Sequence, residues 1–158
     1  MTETITVRKA SIEDIQTLLR FEQAVIATER PFDPTLKPDP NHYYDLKRMI
    51  EDPVVELVVA ECNGQLVASG YARIETSKSY LQHEHHAYVG FMYVEPAWRG
   101  KGINQMIIEN LKEWSMSKGI TEMRLDVYHS NLRAIKAYEK AGFGKLMLHM
   151  RMVLSKRQ

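Results

Sequence analysis

Val94-Glu95-Pro96-Ala97-Trp98-Arg99-Gly100-Lys101-Gly102-Ile103-Asn104 joins two segments of different periodicity. Before it, Ala87 to Val94 is almost continuously apolar, with β-branched and aromatic residues, the pattern of a strand covered on both faces. After it, Ile103, Ile107, Leu111 and Trp114 recur at helical spacing. The stretch therefore reads as strand, tight basic glycine loop and helix start. Gly100 and Gly102 allow a sharp turn and close approach of backbone to a ligand. The first turn of a helix offers N–H groups and the positive end of its dipole, which suit a phosphate. Arg99 and Lys101 add charge at the same end, so the loop reads as a phosphate cradle rather than a plain capping turn.

Two phosphate-binding signatures are excluded. A mononucleotide P-loop needs Gly, four residues, then Gly-Lys-Ser/Thr, and no such run occurs. A dinucleotide fingerprint needs a third glycine three residues after the second, where this chain has Gln105. That disfavours a nucleotide-binding domain.

Composition sets the class. A chain of 158 residues with 44% hydrophobic and 26% charged content has room for a core in one domain spanning 1–158. The formal net charge of +1 gives no bulk attraction to nucleic acid. No apolar run is long enough to span a membrane, and Met1-Thr2-Glu3-Thr4 carries no signal-peptide pattern. The one cysteine, Cys62, fits a reducing cytoplasm. It lies in an apolar strand run and reads as packing.

Along the chain, Ile5 and Val7 begin a short strand. Ser11 caps a helix whose apolar face is Ile12, Ile15, Leu18, Leu19, Val25 and Ile26. Arg30 to Pro40 holds four prolines and cannot be regular structure. A second helix is expected over His42 to Glu51, then strands over Val54 to Cys62 and Gln65 to Glu75 joined at Asn63-Gly64. Thr76 to His86 reads as a polar loop. The helix after the cradle stops at Gly119. A strand follows over Met123 to Val127, a short helix over Asn131 to Ala141, and a last strand or hairpin over Lys145 to Leu154. Strands flank helices throughout, so the class is α/β or α+β with a mixed sheet.

Arg99, Gly102 and Asn104, after a strand ending Val-x-Pro, resemble the acyl-CoA-binding motif of the GNAT acetyltransferase superfamily. Asn104 stands where that family usually has a small residue. The spacing Asn131, Ala134-Ile135, Tyr138, Gly142-Phe143 resembles its second motif. Within the superfamily the chain looks nearest to the branch containing ribosomal-protein N-terminal acetyltransferases. The resemblance implies a mixed, splayed central sheet flanked by helices, with acetyl-CoA as cosubstrate and no metal. It implies phosphate contacts at Arg99, Gly100, Lys101, Gly102, Ile103 and Asn104. It also implies backbone pairing of the pantetheine arm along Met92, Tyr93 and Val94, and a CoA contact at Asn131.

The same resemblance assigns Tyr138 as proton donor to the departing thiolate and Asp126 as base for the amine. An alkylamine has a pKa of roughly 10.4, so a base helps expose its lone pair. As a plain strand carboxylate Asp126 is equally well explained. The implied activity is direct acetyl transfer to an amine in a ternary complex. The alternative is a catalytically silent acyl-CoA-binding regulatory module. The acceptor stays open between a protein N-terminus, a polyamine, an amino acid and a small amine, although acid and aromatic residues between Arg30 and Tyr44 suit a cation. The assembly is expected to be a monomer or homodimer. His83-Glu84-His85-His86 reads as a solvated loop rather than a metal site, with one histidine free to line the acceptor site.

Overall fold

The computed structural model describes residues 3–155. Met1 and Thr2 of the polar N-terminus, and the last three positions of the expected 1–158 domain, lie outside the described residues. The chain forms two compact units, one ending at Asp126 and the other beginning at Val127.

The first unit is built on a five-stranded mixed sheet: β1 (Ile5–Lys9), β2 (Val55–Cys62), β3 (Gln65–Thr76), β4 (His85–Val94) and β5 (Met123–Arg124), in that spatial order. Pairings are antiparallel through β4, and β5 is parallel to β4. Strand alternation divides the core between two faces. Leu57 and Val59 join Leu18 and Phe21 of α1 (Ile15–Glu29) and Leu46 and Met49 of α2 (Leu46–Glu51). Val58 and Ala60 join Ile103, Ile107 and Leu111 of α3 (Ile103–Ser117) on the other face. Burying a side chain such as Phe21 or Leu111 contributes roughly 1.5–3 kcal/mol. These two layers, rather than the loops, hold the sheet in place. Gly70 lets α3 sit close: a Cβ there would lie 2.6 Å from Ile107 Cγ2 and 2.7 Å from Met92 Sδ.

Several boundaries differ from the expectations. The second helix begins at Leu46, not His42, with Asp45 as its N-cap, and the N–H groups of Tyr43 and Tyr44 before it are held by α1. Glu22 is fully buried on α1 and accepts from Tyr43 N at 3.0 Å and Tyr44 N at 2.8 Å. Asp45 then caps α2, accepting from Arg48 N at 3.2 Å. The polar loop ends two residues early, since His85 and His86 already belong to β4. Strand β5 is cut to two residues because it pairs with β4 only at Ala87 and Tyr88.

The second unit contains α4 (Leu132–Lys140), capped by Asn131, whose Oδ1 accepts from Ala134 N at 3.2 Å. Gly142, at φ 108°, ends the turn beyond it. The strand expected over Lys145 to Leu154 does not form. Among the described residues this unit holds one helix and no strand, so the segment has no ladder partner within it.

Candidate active site

Strand β4 carries a bulge. Tyr93 lies opposite Ser69, but the next pair is Gly90 with Tyr71, so β4 has one more residue here than its partner. Phe91 takes up the excess at φ 53°, and its carbonyl accepts from Ser69 Oγ at 3.0 Å in a buried bond. On its other side β4 loses β5 after Tyr88. From Val89 to Val94 that edge has no strand partner among the described residues, as a splayed sheet requires. Met92, Tyr93 and Val94 all lie on this open edge, where an amide-bearing arm can pair with backbone.

Arg99, Gly100, Lys101, Gly102, Ile103 and Asn104 come together as one loop and the first turn of α3. Gly100 (φ 78°) and Gly102 (φ 77°) are left-handed, and nothing lies within 4 Å of where a Cβ would stand on either. The cradle is therefore open at the two positions where bulk would block a pyrophosphate. Arg99 Nε donates to the Val94 carbonyl at 3.1 Å, which holds its guanidinium at the strand end and occupies one acceptor of the open edge. Lys101 is already engaged. Its Nζ lies 3.1 Å from Glu3 Oε2 and 4.9 Å over the Trp98 ring.

Asp126 is the acceptor for the Tyr88 hydroxyl at 3.1 Å. Tyr88 belongs to an aromatic series that the sequence reading did not single out. Tyr44 lies edge-on to Tyr71 at 5.8 Å, and Tyr71 lies 6.3 Å from Tyr88. All three phenols are pushed above their ordinary range, first by burial, so they remain donors. Arg73 stacks over both Tyr71 and Tyr88 and is bound to Glu75 by Nε at 2.9 Å and Nη2 at 2.6 Å. Glu29, on α1, is raised above the usual carboxylate range by burial, although a hydrogen bond from Tyr43 works against this.

The signal for Glu22 was present in the sequence. It sits four residues from both Leu18 and Ile26, a carboxylate on the buried face of a helix. Tyr71 and Tyr88 were visible only as polar-tipped rings inside apolar runs.

Asn131 is the cap of α4, with its amide NH2 left over from that role. Tyr138 lies on the same helix, its ring 6.0 Å from Phe143 and edge-on to it. The His83–His86 stretch is solvated only in part, with Glu84 and His85 exposed. His86 is buried, with Nδ1 2.9 Å from Ser77 Oγ and Nε2 3.5 Å from Glu75 Oε1, while His83 Nε2 is 3.0 Å from Glu122 Oε2. No cluster that could hold a metal occurs among the described residues. Cys62 is buried on β2.

The acetyltransferase (GNAT) family profile matches residues 22–143, most of the chain and both motifs. The chain belongs to the GNAT acetyltransferase family. It is an N-acetyltransferase with acetyl-CoA as cosubstrate. Among curated relatives, the aminoglycoside N(6')-acetyltransferase type 1 of Stenotrophomonas maltophilia is 24% identical over 106 residues, 59% of this chain and 69% of that protein. The thialysine N-epsilon-acetyltransferase of Bos taurus is 38% identical over 55 residues, 35% of this chain and 32% of that protein. A variant of the BH1408 protein from Bacillus halodurans shares the fold at TM-score 0.86 and 17% identity, covering 95% of this chain and 99% of that one. None of these three is named for the ribosomal-protein branch. No helix among the described residues is long and apolar enough to cross a membrane.

Proposed function

We propose that this GNAT chain transfers acetyl from acetyl-CoA directly to an amine, with Asp126 as base and Tyr138 as acid. The observation that carries this reading is the unpaired β4 edge from Val89 to Val94, running into the glycine loop at the start of α3. The loop residues Arg99 to Asn104 hold the phosphates. The backbone of Met92, Tyr93 and Val94 pairs with the pantetheine arm, and one N–H of that edge supports the oxyanion. Asp126, directly or through a water, takes a proton from the ammonium. The free amine attacks the thioester carbonyl, the C–N bond forms, the C–S bond breaks, and the second nitrogen proton passes to solvent as the amide forms. Tyr138 protonates the departing thiolate and regains its proton from solvent. The roles of Tyr138 and of Asn131, as contact to the CoA arm, rest on the motif match. Cys62, buried on β2, is poorly placed for a covalent step.

A protein N-terminus belongs among the acceptors because of the likeness to the ribosomal-protein branch, and an aminoglycoside because of the Stenotrophomonas relative. We take the enzyme to be cytoplasmic, with its single thiol reduced, and to act as a monomer or homodimer. The test is thiol release from acetyl-CoA with and without a panel of amines. Amine-dependent release supports transfer. CoA binding without turnover on any amine supports the silent acyl-CoA-binding module instead.

A further inference from the structure

The pairing of β3 with β4 gathers a second set of reactive side chains that the acetyl-transfer reading does not use. His86 lies directly opposite Glu75 in the ladder. Ser77 is two residues beyond Glu75, and its N–H donates to the Glu84 carbonyl at 2.8 Å, which carries the strand geometry one step past β3. Alternation therefore puts Glu75, Ser77 and His86 on one face. Both ring nitrogens of the buried His86 are engaged: Nδ1 lies 2.9 Å from Ser77 Oγ and Nε2 lies 3.5 Å from Glu75 Oε1. A carboxylate can only accept, so it favours the tautomer with the proton on Nε2 and leaves the Nδ1 lone pair to the serine hydroxyl. Glu75 is itself held in place, since its Oε2 takes two bonds from Arg73. This is the arrangement of an activated nucleophile: a hydroxyl, a base and a third group that orients the base. The pair also borders open space. A cavity of about 380 Å³ begins at Ser77, with Thr76, Lys78 and Ser79 also in its wall. That is room for a small ligand.

We propose that Ser77, His86 and Glu75 form a hydrolytic centre for small carboxylic esters, separate from acetyl transfer. Ser77 Oγ attacks the ester carbonyl while its proton passes to His86 Nδ1. The C–O bond to the alcohol breaks, and His86 gives that proton to the departing alkoxide. Water then attacks the acyl-serine and passes a proton to His86. The acid leaves as Ser77 Oγ takes that proton back. Glu75 faces the ring throughout and offsets the charge of the imidazolium. The Ser77 N–H is spent on Glu84, so the charge on the oxyanion falls to Lys78 in the cavity wall. One flexible cation does less than a fixed pair of N–H donors, and an alkoxide or phenoxide leaves more readily than an amide nitrogen. Esters rather than amides are therefore the substrate class.

The test uses the full chain without acetyl-CoA, with p-nitrophenyl acetate as ester and a fluorophosphonate as serine-directed probe. The wild-type protein is expected to hydrolyse the ester with saturation. It is also expected to take up the probe at Ser77, with loss of fluoride, as peptide mass spectrometry would locate. Ser77→Ala and His86→Gln are each expected to lower kcat for the ester by about 100-fold or more and to escape labelling. Ser77→Ala should still acetylate the amine panel from acetyl-CoA within about two-fold of wild type. Ester hydrolysis that survives Ser77→Ala overturns the proposal, because exposed histidines cleave activated esters unaided. A probe that leaves wild-type Ser77 unmodified also overturns it, and no folding defect of a variant can produce that result. Loss of amine acetylation in a Ser77→Ala protein that still melts cooperatively would put Ser77 in the acetyl-transfer site, which overturns it as well.

Discussion

The Tyr88 hydroxyl donates to Asp126 Oδ2 at 3.1 Å, from the last β4 residue that still pairs with β5. The bond fixes the carboxylate at the point where the two strands part. Asp126→Asn keeps size and hydrogen bonding but removes the titrating group. Its kcat is expected to fall about 10²-fold or more, the usual scale for a general base, and the acidic limb of the pH–rate profile to flatten. Tyr88→Phe deletes one hydrogen bond, a loss of about 0.5–1.5 kcal/mol, or roughly two- to ten-fold in rate. In the Asp126→Asn background the tyrosine change should cost nothing further, because its partner role is already gone. Additive losses in the double variant would separate the two residues.

Gly102 stands at the start of α3 at φ 77°, with open space where a side chain would project. Gly102→Val puts a branched side chain into a backbone region it disfavours by about 1–2 kcal/mol. On the proposed reading it also puts bulk where the pyrophosphate would approach. Calorimetric titration should show Kd for CoA raised at least ten-fold in a protein that still melts cooperatively. Unchanged affinity would place the phosphates elsewhere.

Much of this site was legible because glycine loops and helix starts are local. The glycine turn at Gly100 and Gly102, the start of α3 and the Asn131 cap follow from neighbours in sequence, whereas the run Met92 to Val94 came only from the family resemblance. What was not legible depends on long-range pairing. Tyr88 and Asp126 are 38 positions apart. Nothing local told that β5 would stop at Arg124, because its apolar alternation continues through Leu125 and Val127 while the β4 ladder does not. The contact that holds His42 to Asp45 is equally distant in sequence, since Glu22 on α1 accepts from the Tyr43 and Tyr44 N–H groups.

Asp14 gives a stability test independent of activity. Its side chain is nearly buried, and two bonds from Arg8, at 2.8 and 3.0 Å, are the main cause holding its carboxyl below the usual range. The unfolded chain therefore takes up this proton at higher pH than the folded one. The stabilisation is present above the unfolded aspartate value and is lost as pH falls through the folded one. Hydrogen bonds to charged groups contribute about 1.5–3 kcal/mol, so Asp14→Asn should lower Tm at pH 7 by roughly 3–10 °C. The gap between wild type and variant should close as the pH is taken below the ordinary aspartate range. A gap that persists in acid would mean that packing, not the charge pair, is lost.

The role proposed for Tyr138 comes from the motif. In the structure its ring packs edge-on against Phe143 at 6.0 Å on the helix that Asn131 caps. Phenylalanine preserves that ring contact and the helix and removes only the hydroxyl. If the hydroxyl protonates the departing thiolate, Tyr138→Phe should lower kcat by about 10²–10⁴-fold. CoA affinity should change little, since binding does not use the proton. The loss should also depend on the leaving group. A thioester of a much more acidic thiol departs readily as the anion and needs less protonation, so the wild-type advantage should shrink with it. A packing role predicts instead a rate and a thermal stability close to wild type with either thioester, because phenylalanine keeps the ring contact. A Tyr138→Phe enzyme within a few-fold of wild type on acetyl-CoA would assign the proton to another donor.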